Sequence, residues 1–339
     1  MATMKDVARL AGVSPSTVSI VINGKSQERS IPEETANRVN AAIRALGYRP
    51  NLAAQRLRGV GSVKPIIALY WPIDMRSHSM GWALRCMQEE LQALCFDCDL
   101  MVRTYQSGHL SEVAELTENC RFDGAIIGGA NRAEIAYLES IKPKIPLVFF
   151  NRISKKYNSV CGDDNALTRG VAELFARCGH TEAAVFTAGA NYAATECRLQ
   201  NFARHCDALG LRLTPEHIIQ TQDTMEGGVQ AARILLSREL HPRATFCMTD
   251  FLAIGAAHEL RQQGRSVPGE YSIVANALFT PEFTQYNSPS ITVATVPLRK
   301  LSTECIRILV SQLTNHMVKA VHQVIEPEFF LRESCSPPD

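Results

Sequence analysis

From Pro65 onward, short apolar runs rich in β-branched and aromatic residues alternate with longer amphipathic stretches. The runs are IIALYW, DLMVRT, DGAIIGG, PLVFF, EAAVFT, ATFCM and YSIVANA, mostly separated by helix-like segments of ten or more residues. Strands that follow one another through a helix run parallel, and helices then cover both faces of their sheet. The pattern implies a doubly wound α/β body. The 275 residues from 65 to 339 exceed what one such sheet organises, so two similar lobes are expected. Ligands in these folds bind outside the carboxyl ends of the strands, which between two lobes means a cleft.

The first sixty residues obey a different rule. Thr3 and Asp6 form a capping pattern before Val7, Ala8, Leu10 and Ala11, the apolar side of a short helix that Gly12 stops. Ser14 caps a second helix with Pro15 at its first position, where the missing N–H costs nothing. Val18, Val21 and Ile22 form its buried stripe, leaving Pro15, Ser16, Ser19 and Ile20 outward. A third helix runs from about Pro32 to Leu46, with Ala36, Val39, Ile43 and Leu46 on one face and Gly47 at its end. Two short helices joined by a tight glycine turn and braced by a third make a helix-turn-helix. Small outward side chains let the second helix approach base edges in a major groove. The net charge of residues 1–60 is +5, against +1 for the whole chain, so a polyanion partner is expected for the head alone.

Next comes RPNLAAQRLRG, residues 49–59, where Asn51 can cap about two turns carrying Leu52, Ala53 and Leu57 among Gln55, Arg56 and Arg58. Alone, a helix this short does not persist in water, so it folds against a partner. An apolar wedge flanked by arginines suits minor-groove insertion; GVGSVKP after it reads as a linker.

TMKDVARLAGVSPSTVSIVING, followed by VNAAIRALGYRPNLAAQRLRG, closely resembles the N-terminal region of the LacI/GalR family of bacterial transcription regulators. The resemblance covers residues 3–59, with the KDVA, AGVS, TVS, GYRPN and A-x-x-L elements in order. It implies that Pro15, Ser16 and Ile20 read bases and that Leu57 is the minor-groove wedge. The DNA-contacting set it implies is Thr3, Ser14, Pro15, Ser16, Thr17, Ser19, Ile20, Asn23, Arg49, Asn51, Ala54, Arg56, Leu57 and Arg58. Ile20 stands where many members have arginine, which favours a thymine methyl over a guanine as its neighbour. Pro32 stands where a capping serine is common.

The likeness continues more loosely through NRISKKYNSVCGDDNALTRG, CRLQNFARHCDALGL, ATFCMTDFLAIGAAHEL and PSITVATVPLRKLS. These resemble the family's effector-binding and dimerisation core, similar in fold to periplasmic sugar-binding proteins. The expected domains are a helix-turn-helix head at 1–48, a hinge and linker at 49–64, and a core at 65–339. By the same likeness the lobes exchange strands near residues 163, 293 and 325, giving an N-lobe of about 65–162 with 293–324 and a C-lobe of about 163–292 with 325–339. Arg198 matches an arginine that reaches the cleft, where a guanidinium can hold vicinal hydroxyls or a carboxylate. Thr249 and Asp250 end a strand and open a helix; Asp250 could equally be an N-cap. Residues 74–79 follow the first strand as a cleft edge would, and Asn151, Arg152 and Asp164 are similarly placed. The expected effector set is Met75, Ser77, Ser79, Asn151, Asp164, Arg198, Thr249, Asp250 and Asn276. Where the family reads V-V-G-F-D-D, this chain has IVANALF, so a ligand-binding aspartate is replaced by Ala277. Losing that charge weakens the case for a neutral hexose and favours an acidic or phosphorylated sugar.

Other chemistry finds little support. Cys95 and Cys98 form a single CxxC between a helix and a strand, with no second pair for zinc. GAIIGGAN lacks the Lys-Ser/Thr ending of a phosphate loop, and no G-x-S-x-G elbow occurs. No catalytic residue, metal or cofactor is expected. Eleven cysteines, an odd number, suit reduced thiols. A charged N-terminus without an apolar signal core and the lack of a bilayer-length apolar run favour the cytoplasm. The expectation is a homodimeric, effector-responsive repressor of a carbohydrate operon, acting at a palindromic operator. The rival is a small-molecule-binding or enzymatic α/β protein whose basic head binds another anion.

Overall fold

The structure is a computed structural model that describes residues 4–22, 29, 31–46, 64–73, 77–113, 116, 121–141, 143–188, 193–277, 281–315, 319–335 and 337. The chain divides into two compact units, Met1–Lys64 and Pro65–Asp339.

The first unit contains α1 (Met4–Ala11), α2 (Pro15–Ile22) and α3 (Glu33–Leu46). Gly12 takes φ +66° after α1, a left-handed conformation that glycine adopts without a Cβ penalty. Its N–H donates to the Arg9 carbonyl at 3.3 Å and that of Val13 to the Ala8 carbonyl at 3.0 Å. These are the two bonds of a Schellman stop. Val7, Ala8, Ala11, Val18, Val21, Val39 and Ala42 make the core. A fully buried valine contributes about 1.5–3 kcal/mol, so a cluster this small tolerates few losses. Leu10, expected on the apolar side, is 56 % exposed. At about 100° per residue it lies roughly 110° from the centre of the Val7–Ala8–Ala11 stripe. Ala42, not singled out from the sequence, fills the core instead.

The second unit begins with β1 (Ile66–Pro72), α4 (Ser77–Ala93), β2 (Asp99–Tyr105), β3 (Gly124–Gly128), α5 (Arg132–Ser140), β4 (Leu147–Phe150) and β5 (Asn158–Gly162). It continues through α6 (Asp164–Arg177), β6 (Ala183–Thr187), α7 (Ala193–Ala208), β7 (Ile218–Gln220), α8 (Met225–Leu236), β8 (Ala244–Cys247), α9 (Asp250–Gln262), β9 (Ser272–Asn276) and β10 (Thr292–Thr295). It closes with α10 (Leu298–Asn315), β11 (His322–Ile325) and β12 (Glu328–Phe330).

Two six-stranded sheets result, ordered β11-β5-β4-β3-β1-β2 and β12-β10-β9-β8-β6-β7. Apart from the antiparallel β10–β12 pair, every strand pairing among the described residues is parallel. Without its edge strand, each sheet has the 2-1-3-4-5 order of a doubly wound fold, with its switch point beside the first strand. β1 shows why these strands read as unbroken apolar runs. Ile67, Leu69 and Trp71 pack into the cluster holding α4 and α10, whereas Ala68 and Tyr70 join the cluster on the opposite face.

The chain leaves the first sheet after β5, returns between Thr295 and Leu298, and leaves again between Ile325 and Glu328. The second passage falls beyond the residue 293 expected, because Thr292–Thr295 pairs with β9 and β12 in the second sheet. Behind that sheet α8 and α9 meet at van der Waals distance. A Cβ on Gly255 would lie 1.9 Å from the Met225 carbonyl oxygen, which is backbone and cannot swing aside. Gly255→Ala is therefore expected to cost about 1–3 kcal/mol or more through overpacking. Urea unfolding of the full-length protein checks this; a loss below about 0.5 kcal/mol would be at odds with such tight packing.

Candidate functional site

In the first unit, α2 is the helix that the sequence assigns to DNA. Ser14 caps it: its Oγ accepts from the Thr17 N–H at 3.1 Å and lies 2.7 Å from Ser16 Oγ and 2.9 Å from Thr17 Oγ1. The helix carries no acidic residue in its first turn and no basic one in its last. With Val18 and Val21 inward, Ser16 lies opposite the core stripe. Pro15 and Ser16 are exposed, and Thr17, Ser19 and Ile20 are half-buried. The freely outward face is thus narrower than the sequence suggested. Thr3, Asn23, Arg49, Asn51, Ala54, Arg56, Leu57 and Arg58 lie outside the described residues.

In the second unit, a cleft lies at the carboxyl ends of the strands. Counting the open solvent at its mouth, the empty space within it is ≈ 620 Å³. β1 supplies Trp71 and β4 supplies Phe150, whose rings meet at 5.6 Å between centroids, tilted by 55°. After β4 the chain turns sharply. Asn151 takes φ +51°, a left-handed conformation that asparagine tolerates better than most residues. Its Oδ1 accepts from the Gly162 N–H at 3.1 Å, tying the ends of β4 and β5 together. That turn carries Arg152 into the protein. Its Nε donates to the Ala130 carbonyl at 2.7 Å and its Nη1 to the Asn151 carbonyl at 2.6 Å.

Arg198, on α7, reaches the same cleft and donates through Nε to Asp164 Oδ1 at 2.6 Å. Asp164 opens α6, although the N-cap is its neighbour Asp163, which accepts from the Ala166 N–H at 2.8 Å. Burial, and then the like charge of Arg198, hold Arg152 below the usual arginine pKa; Asp164 pulls the other way. Asn276 donates from Nδ2 to the Met248 carbonyl at 3.2 Å, which fixes its amide at the cleft wall. Thr295 donates from Oγ1 to the Ala277 carbonyl at 3.0 Å.

Of the expected effector residues, Ser79, Asn151, Arg198 and Asn276 line the cleft, and Asp164 stands behind Arg198. Thr249 and Asp250 do not line it. Thr249 is the N-cap of α9, accepting from the Leu252 N–H at 3.2 Å, and Asp250 is fully buried in the first turn. A carboxylate there complements the positive end of the helix dipole. Met75 and the Ser77 side chain lie outside what is described. Trp71, Phe150, Thr295, Val296 and Leu298 line the cleft without having been singled out from the sequence. A usable signal existed: Phe150 and Thr295 are the last residues of their strands and Trp71 the last but one.

The model for bacterial regulatory proteins of the lacI family matches residues 3–51. That for the periplasmic binding protein-like domain matches residues 172–335. The probable HTH-type transcriptional repressor ExuR of Bacillus subtilis is 27% identical over 337 residues, covering 98% of each chain. The ribose operon repressor of Haemophilus influenzae is 26% identical, again covering 98% of both. Among solved structures, a LacI family transcription regulator from Clostridium acetobutylicum superposes with a TM-score of 0.76 at 27% identity, over 79% of this chain and 100% of that one.

The Ser14 cap can be tested alone. Ser14→Ala is expected to destabilise the head by about 1 kcal/mol, and Ser14→Asp to restore most of it. Hydrogen exchange of the α2 amides in the full-length protein reads this out; unchanged protection in Ser14→Ala would mean that the cap contributes nothing.

Proposed function

Given that the chain belongs to the lacI family of bacterial regulatory proteins, we propose that it represses a carbohydrate-utilisation operon and that a small metabolite in the cleft alters its hold on the operator. The family consists of transcription regulators, not enzymes. The observation that carries the reading is the pairing of two parts in one chain. One is a capped, uncharged helix with small residues outward; the other is a cleft at strand ends holding two arginines.

Two copies pair through their cores and present two α2 helices to the half-sites of a palindromic operator. Residues 49–59, which lie outside the described residues, belong to the proposed minor-groove contact, with Leu57 as the wedge and Arg56 and Arg58 on phosphates. Thr3, Asn23, Arg49, Asn51 and Ala54 belong to the same proposed interface. Pro15, Ser16 and Ile20 offer mostly apolar contacts and one hydroxyl, so affinity rests largely on phosphates, hinge and dimerisation. A ligand that closes the cleft changes the spacing of the hinges. Coupling of this kind is a differential affinity of two conformations, commonly about 1–3 kcal/mol. Among the described residues no helix is long and apolar enough to cross a membrane, and we place the protein in the cytoplasm, where the operator is.

A gel shift of the full-length protein on the DNA upstream of its own gene tests this. A sequence-specific shift that weakens steeply with salt is expected, because each neutralised phosphate releases counterions. Leu57→Ala should weaken that shift and leave ligand binding by the core intact. No specific shift at any salt would favour the non-regulatory alternative.

A further inference from the structure

Resting on the regulatory reading above, a further step concerns the chemistry of the effector. Arg152 is 7 % exposed, and both of its hydrogen bonds go to backbone carbonyls. Arg198 commits its Nε to Asp164. Arg152 and Arg198 both line the cleft, and no Asp or Glu lines it among the described residues. Glu134, whose charge also acts on Arg152, lies off the cleft wall and accepts from the backbone N–H groups of Gly108, Leu110 and Asn131. Ala277, also on the cleft wall, offers no side-chain acceptor.

A guanidinium only donates. A neutral polyol, whose hydroxyls must donate as well as accept, finds few acceptors here. An anionic group accepts from both arginines and neutralises a charge that burial has stripped of water. Flat apolar surface beside it comes from Trp71 and Phe150, and lesser polar partners from Ser79, Asn276 and Thr295. We propose that the effector is a hydroxylated metabolite bearing a carboxylate or a phosphate, and that Arg152 together with Arg198 holds that anion.

The experiment compares neutral hexoses with the matching hexuronates and hexose 6-phosphates, in gluco, galacto and manno forms. Inorganic phosphate serves as the bare anion. Thermal shift and calorimetry are read on the full-length protein, since ligand binding to the native state raises its Tm. Anionic members are expected to stabilise and their neutral counterparts not to; uronates alone would name a carboxylate, phosphates alone a phosphate. Arg152→Lys keeps the charge but loses the planar fork, and should weaken the acidic ligand. Should that variant fold poorly, Ala277→Asp leaves both arginines in place. It should weaken the acidic ligand by about tenfold or more through like-charge repulsion. No stabilisation by any anionic member, or tighter binding of a neutral hexose than of its acidic partners, overturns the assignment. Operator binding in the same preparations separates this failure from failure of the regulatory reading.

Discussion

A parallel strand cannot reach its neighbour through a tight turn; the chain must cross back over the sheet, and it does so as a helix. In the 65–339 unit this one requirement covers both faces of the inner strands, and so sends β1, β3, β4, β6, β8 and β9 into nearly complete burial. Polar chemistry is left with the strand ends. Two sheets of the same strand order, joined by three passages of the chain, therefore make a cleft the natural place for a ligand. Trp71, Phe150, Arg152, Asn276 and Thr295 come from four strands or the turns directly after them. A few residues at fixed strand ends thus set the specificity of a large scaffold.

The head solves its folding locally. Among its described residues it has no strand, and its core is mostly valine and alanine, so its architecture leans on backbone signals: the Schellman stop at Gly12 and the Ser14 cap before Pro15. Those features were legible in the sequence because each depends on a few adjacent residues. The exposure of Leu10 was not, since a helix of two turns offers too few positions to fix the centre of its apolar stripe.

In the core, the long runs were legible as strands, whereas NSVCG at β5, IIQ at β7, HQVI at β11 and EFF at β12 were not. NSVCG and HQVI open on polar residues, and IIQ and EFF offer only three positions, so none forms a continuous apolar run. β12 exists because β10, far behind it in sequence, offers an antiparallel edge. The cleft followed the same division. Asn151, Arg198 and Asn276 stood out as polar residues at strand ends or by likeness, but Trp71 and Phe150 read as core. Thr249 and Asp250 looked like site residues for a local reason: a cap and a first-turn acid lie at a strand's end as a ligand contact would.

In the proposed function, operator and effector address two conformations of one protein, and linkage makes this directly measurable. The operator Kd is determined with and without a saturating compound that stabilises the core, and that compound's Kd with and without operator. Both ratios are expected to differ from one by the same factor, about 5–150-fold. Ratios of one in both directions, with both ligands bound, would contradict it.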